Sequence, residues 1–260
     1  MSMRTRSDRD ERAVAAEWET GADEPTGPGV PCPPAPKTVV WASLVILLAV
    51  NALFLLANVA HAMGDGREDG LLGIFAPVAW EGDYDGSHIE VWGHIQLFAA
   101  AAILAVLARS YRSFLLGAWG FALFVVVVDD LFQIHEDVGE VFAEMFGFNA
   151  AFGLRPEDFG ELLTWAVLGV LVLVPLVIGY VKAGAWERRQ SWIFVAILIL
   201  LAVFAIGLDM LAIMLQGHVP GPVLRAVALA ETAGEIIPMS LFLAFTIKLA
   251  LAPGRLHTAR

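Results

Sequence analysis

Two adjacent carboxylates close an apolar run in VVVVDDLFQIHEDVGE, residues 125–140, which sets Asp129, Asp130, His135, Glu136 and Asp137 within nine positions. A second stretch, LAETAGEIIP at 229–238, places Glu231 and Glu235 four residues apart, on one face of a helix. Carboxylates mixed with imidazole form a ligand set suited to iron, manganese or zinc rather than to copper or thiolate-seeking ions. The same groups also take and release protons.

Carboxylates crowded in an apolar setting without cations must be protonated, hydrated or metal-bound, because bare like charges in a low dielectric repel and raise each other's pKa. Protonation points to proton handling, hydration to an ion path, and a metal to catalysis or metal transport. Arg225 is the nearest basic residue to the second stretch.

The elements that position these groups are membrane helices. Of 260 residues 58% are hydrophobic and only 17% charged, and the mean hydropathy is +0.70, too apolar for an ordinary soluble domain. Windows of about 20 apolar residues, enough to cross roughly 30 Å of hydrocarbon, recur near 39–60, 90–108, 114–134, 159–181, 191–215 and 223–250. The expected fold is therefore an all-α integral membrane bundle of six transmembrane helices over 38–252. A disordered cytoplasmic tail over 1–37 precedes it and a short cytoplasmic tail over 253–260 follows. The first tail is rich in charge, then in Gly and Pro, with no apolar run before 39, so it does not resemble a cleaved signal peptide. Its Cys32 is the chain's one cysteine, which leaves no disulfide framework and no CxxC metal knuckle.

Basic residues gather on one side of such a bundle. Arg109 and Arg112, then Lys182, Arg188 and Arg189, then Lys248, Arg255 and Arg260 fall on the same side as Lys37 and the arginines of the tail. The opposite connections, 64–90 and 136–158, are acidic. By the positive-inside rule both termini are expected in the cytoplasm of a bacterial inner membrane. The expected surroundings are a lipid bilayer and a lipid or apolar small molecule; a net charge of −11 offers nucleic acid no complementary surface.

The polar groups of the spans share one depth. Counting about 1.5 Å per residue from 113, Asp129 lies some 24 Å up the third helix, roughly 6 Å short of the outer boundary. His94 and Glu161 fall about one turn inside their spans, Asp209 about two, and Glu231 and Glu235 two to three. Asn58 and His61 hold the outer end of the first span. Ionisable groups within spans face a bundle interior or a water-filled cavity, so this layer is the candidate site.

On an unbroken helix Asp129, Asp130, Gln133, Glu136 and Asp137 occupy an arc of about 120°, while His135 points about 160° away from its centre, unless the helix breaks or bulges near Gln133. Pro238 follows Glu235 closely enough to kink the sixth helix and free a carbonyl. Glu90 and His94, four apart, can bring an imidazole to the layer. The soluble di-iron signature of paired Glu-x-x-His helices, HExxH and a nucleophile with a His partner are all missing.

DDLFQIHE and LAETAGEIIP together resemble a pattern in uncharacterised bacterial multi-pass membrane proteins: an acid pair, four residues and His-Glu on one helix, with spaced glutamates on a late one. The resemblance matches Asp129, Asp130, His135 and Glu136 to the first motif and Glu231 and Glu235 to the second, and implies that the two helices form one site. Here Asp130 stands where that pattern has Glu, and Ala230 where it has a further acid.

The leading expectation is a divalent metal, iron, manganese or zinc, held by Asp129, Asp130, Glu136, Glu231 and Glu235. His94 or His135 would act as ligand or general base, with Glu161, Asp209 and Gln133 behind them. Such a site suits a metal-dependent enzyme acting on a lipid or apolar substrate. A proton- or cation-coupled transporter and a non-catalytic partner subunit or sensor are the alternatives.

Overall fold

A computed structural model describes residues 37–64, 72–82 and 84–252. The expectations for the tails at 1–36, Cys32 included, and 253–260, and for residues 65–71 and 83 of the acidic loop, lie outside these residues.

Among the described residues seven helices follow one another: α1 Lys37–Gly64, α2 His88–Tyr111, α3 Phe114–Leu131, α4 Ile134–Phe146, α5 Pro156–Lys182, α6 Ala185–Leu215 and α7 Gly221–Ala250. All but α4 are long and apolar enough to cross a membrane, so the expected all-helical, six-span architecture holds. The stretch 136–158, expected as a loop, is the correction. Much of it is α4, an amphipathic helix stopped by Gly147 at φ 62°, where the left-handed conformation favours glycine.

Local sequence sets the helix ends. Ser87 caps α2 by accepting from the Glu90 amide at 3.3 Å, Ser113 caps α3 by accepting from Leu116 N at 3.3 Å, and α5 begins at Pro156, which has no amide to leave unsatisfied. Pro175 and Pro238 lie inside α5 and α7. Neighbouring helices make such prolines tolerable in a membrane.

The two ends of the bundle are built differently. At the basic end, where the α2–α3 and α5–α6 turns lie, the core is apolar: Leu104, Leu107, Trp119, Phe194, Phe242 and Leu249 pack together. Phe194 and Phe242 stack at 5.9 Å, and Trp119 donates to Ser191 Oγ at 2.8 Å. At the acidic end the helices part around a cavity.

α1 buries only Leu47, Asn51 and Ala57. Its hold on the bundle is largely polar. Asn51 Nδ2 donates to Ser240 Oγ at 2.8 Å and to Ile236 O at 3.3 Å, while Asn51 Oδ1 accepts from Trp92 Nε1 at 3.0 Å and Gln96 Nε2 at 3.4 Å. Ser240 Oγ in turn donates to Gln96 Oε1 at 2.6 Å, which closes a network across α1, α2 and α7.

Breaking this network by Asn51→Ala orphans several buried groups at once. The variant should lose about 1–3 kcal/mol in detergent melts, above the ~0.6 kcal/mol typical of one interhelical hydrogen bond in a membrane. A triple variant that also carries Gln96→Leu and Ser240→Ala should recover part of the loss; no recovery would mean that packing, and not polar satisfaction, holds α1.

Candidate functional site

One cavity of about 540 Å3 at the acidic end collects nearly every residue that the sequence nominates. Asp129, Asp130 and Gln133 from the end of α3, His135 and Glu136 from α4, Glu161 from α5, Asp209 from α6, and Glu231 and Glu235 from α7 all line it. His94 does not reach the wall. It stands behind Asp130, buried, with Nε2 hydrogen-bonded to Asp130 Oδ2. Asp137 is exposed and away from the cavity, contrary to the continuous stripe expected on one helix.

The reason is a break. α3 stops at Leu131, Gln133 takes the left-handed conformation at φ 49°, and α4 restarts at Ile134. Such a break is the condition under which His135 can join the site, and it does: Nδ1 lies 3.1 Å from Asp129 Oδ2, and the ring lies tilted against Trp165 with centroids 5.0 Å apart. Burial disfavours the imidazolium of His135, but the Asp129 hydrogen bond and charge, with Asp130 and Glu136, outweigh it and hold its pKa above the ordinary value. Glu136, with an oxygen 3.9 Å from His135 Nε2, is raised by burial first and then by Asp85. Gln133 Nε2 donates to Asp85 Oδ2 at 2.8 Å and so ties the break to the preceding loop.

Glycines set the approach of α4 to α5. A Cβ on Gly139 would come within 2.8 Å of Glu161 N, and one on Gly160 would overlap the Gly139 carbonyl. This contact presents Glu161 to the cavity. The start of α5 is locked by Arg155, whose guanidinium Nε donates to the fully buried Asp158 at 3.0 Å; that hydrogen bond raises the arginine's pKa and keeps it charged at the cavity edge.

In α6, residues Val203–Leu208 form a π-helical segment immediately before Asp209. It changes the direction in which Asp209 points. The loop beside the cavity comes from residues 72–82 and 84–87: Trp80 contacts Phe54, Phe75 and His88 at 6.3, 5.5 and 4.6 Å between ring centroids, near Gly82, Tyr84 and Asp85 of the cavity wall.

Three side chains approach one another as metal ligands do. Atoms of Glu90, His94 and Asp130 all lie within 4.8 Å of each other. His94 meets Asp130 through Nε2, which leaves Nδ1 as the other ring nitrogen. That Nδ1 is buried without a hydrogen-bond partner, and so is Asp129 Oδ1 on the adjacent residue, itself 1% exposed. Carboxylate and imidazole groups set this closely could hold a metal ion. Glu90 was legible only as a partner four residues before His94, and Arg155 gave no signal beyond loop charge.

Because the break at Gln133 aims His135, a residue free at positive φ should keep the site and a β-branched one should not. Gln133→Gly should melt within about 1 kcal/mol of the parent, while Gln133→Val should lose 1–2 kcal/mol or more. His135 nitrogen shifts in detergent NMR spectra report whether the contact to Asp129 survives. Equal behaviour of the two variants would show that the bend does not depend on this residue.

No curated protein and no solved structure matches the chain. A family model described as a domain of unknown function, DUF8692, matches residues 39–249, which takes in nearly the whole of the six spans and every residue of the cavity. The chain therefore belongs to the DUF8692 family.

Proposed function

We propose that this is a metal-binding protein of the bacterial inner membrane, with both termini cytoplasmic, whose ion sits among Glu90, His94 and Asp130. The observation that carries the reading is the approach of Glu90, His94 and Asp130 to within 4.8 Å of one another. Oxygen and imidazole donors favour iron, manganese or zinc. Glu231 and Glu235 face the same cavity from α7 and supply further carboxylates.

The cavity has two kinds of wall. Below the carboxylates lie Val126, Leu168, Val172, Leu198 and Ile206, so a substrate held there has an apolar part alongside the polar group that meets the ion. Held by Glu90, His94 and Asp130, a metal would supply Lewis-acid chemistry to a carbonyl or phosphoryl group. His135, oriented by Asp129 and set against Trp165, is the group positioned to receive a proton. These features support a metal-dependent enzyme acting on a lipid or other apolar molecule. The closely packed apolar core of the basic half supports this reading over a cation pathway through the bundle.

Elemental analysis of protein purified in mild detergent, without chelator or histidine tag, tests the proposal. Near-stoichiometric iron, manganese or zinc is expected, falling at least about tenfold in a folded Glu90→Gln/His94→Asn/Asp130→Asn variant, since the loss of coordinating groups removes well over 1.4 kcal/mol. Absence of metal from both proteins after reconstitution would sink the idea and direct attention to proton and cation flux in liposomes.

A further inference from the structure

The cavity continues below its acidic mouth as an apolar slot. From Glu161 to Val172 its wall runs about 16 Å along α5, and from Asp130 to Ala122 about 12 Å along α3. Between those depths Val126, Leu168, Gly169, Leu198, Ala202 and Ala205 line it, and none of them carries a charge or a side-chain hydrogen-bonding group. The floor is closed. Trp119 and Phe194, about one turn below Ala122 and Leu198, are buried with ring centroids 5.2 Å apart.

One side of the slot faces the bilayer. At the basic end Arg188 holds α6 to α5, donating from Nε to Tyr180 O at 2.9 Å and from Nη2 to Val181 O at 2.8 Å. Toward the acidic end the two helices draw apart on either side of the cavity. Gly169 stands at that gap: it lines the cavity, it is exposed, and an added Cβ would meet nothing within 4 Å. Val170 and Leu173 beside it on α5, with Ile199 and Val203 on α6, are exposed apolar surface of the spans.

We infer that this slot takes one acyl chain of a membrane lipid, admitted between α5 and α6 from the leaflet at the acidic end. An apolar cavity excludes water, and left empty it forfeits the dispersion contacts that a filled one makes. In a bilayer the filler at hand is hydrocarbon. The slot's depth of about 16 Å is close to half of the roughly 30 Å hydrocarbon core, which is the reach of one chain in one leaflet. A chain that ends on the closed floor leaves its ester group at the acidic mouth, beside His135 and Trp165. The inference rests on the apolar-substrate reading above, and it names the substrate as an acyl lipid without depending on the metal.

The test uses the full chain in phosphatidylethanolamine nanodiscs that carry a trace of the same lipid with a photoactivatable diazirine near the end of one acyl chain. Cross-links are placed residue by residue by tandem mass spectrometry. The probe should label Ala122 and Val126 on the slot face of α3 as well as the exposed Phe121 and Phe124, and a probe with the diazirine near the ester should move the slot label to Trp165. Gly169→Phe should cut the labelling of Ala122 and Val126 at least about tenfold, the ratio that ~1.4 kcal/mol of lost preference gives, and Val172→Phe should do the same nearer the floor. Val170→Phe, with the same bulk on the lipid face, should leave it unchanged. Labelling confined to the exposed residues in the parent protein, or slot labelling that survives both Gly169→Phe and Val172→Phe, overturns the inference. Elemental analysis of the same samples separates the two proposals: slot labelling without metal defeats only the metal reading, and metal without slot labelling defeats only this one.

Discussion

Ionised side chains and hydrocarbon are incompatible, and that incompatibility organises this bundle. An isolated carboxylate facing lipid costs several kcal/mol, so a chain with acids in most of its spans must turn them toward one shared interior. Here Asp129, Asp130, Glu161, Asp209, Glu231 and Glu235 meet in one cavity. The price of that opening is packing, and the closely filled core at the opposite end supplies it. The tight hairpin of α2 and α3 shows how: Gly120 sits so near α2 that an added Cβ would touch the Ala101 carbonyl at 3.1 Å.

Irregular backbone completes the arrangement. The left-handed Gln133 swings His135 onto Asp129, the glycine contact between α4 and α5 presents Glu161, and the π-helical segment redirects Asp209. Departures from regular helix are tolerated in a membrane where they are buried in protein or line a cavity, and all three border this one.

The spans were legible because hydropathy alone identifies them, and the common depth of the acids was legible because helical rise converts residue number into distance. The participation of His135 was legible only as a condition, since no residue near Gln133 is a proline or glycine that would announce a break. The helix over 134–146 was hidden by its charge: Glu136, Asp137, Glu140 and Glu144 read as solvated loop, although Val141, Met145 and Phe146 between them give it an apolar face suited to the membrane surface. Asn51 escaped notice as a lone amide in a greasy helix; its role depends on Trp92, Gln96 and Ser240, which no local pattern connects to it. The π-helical segment left no mark in composition at all.

That segment has a consequence for aligning related chains. A π turn carries about one residue more than an α turn spanning the same length, and one residue corresponds to about 100° of rotation. A relative with one residue fewer between Ala202 and Asp209, and a regular helix throughout, would carry its acid on the same face as here. An ungapped alignment of the two would pair Asp209 with the neighbouring apolar position and report the acid as lost. In this family, an insertion or deletion at 203–208 should be read as a change of helical pitch before it is read as a change of residue.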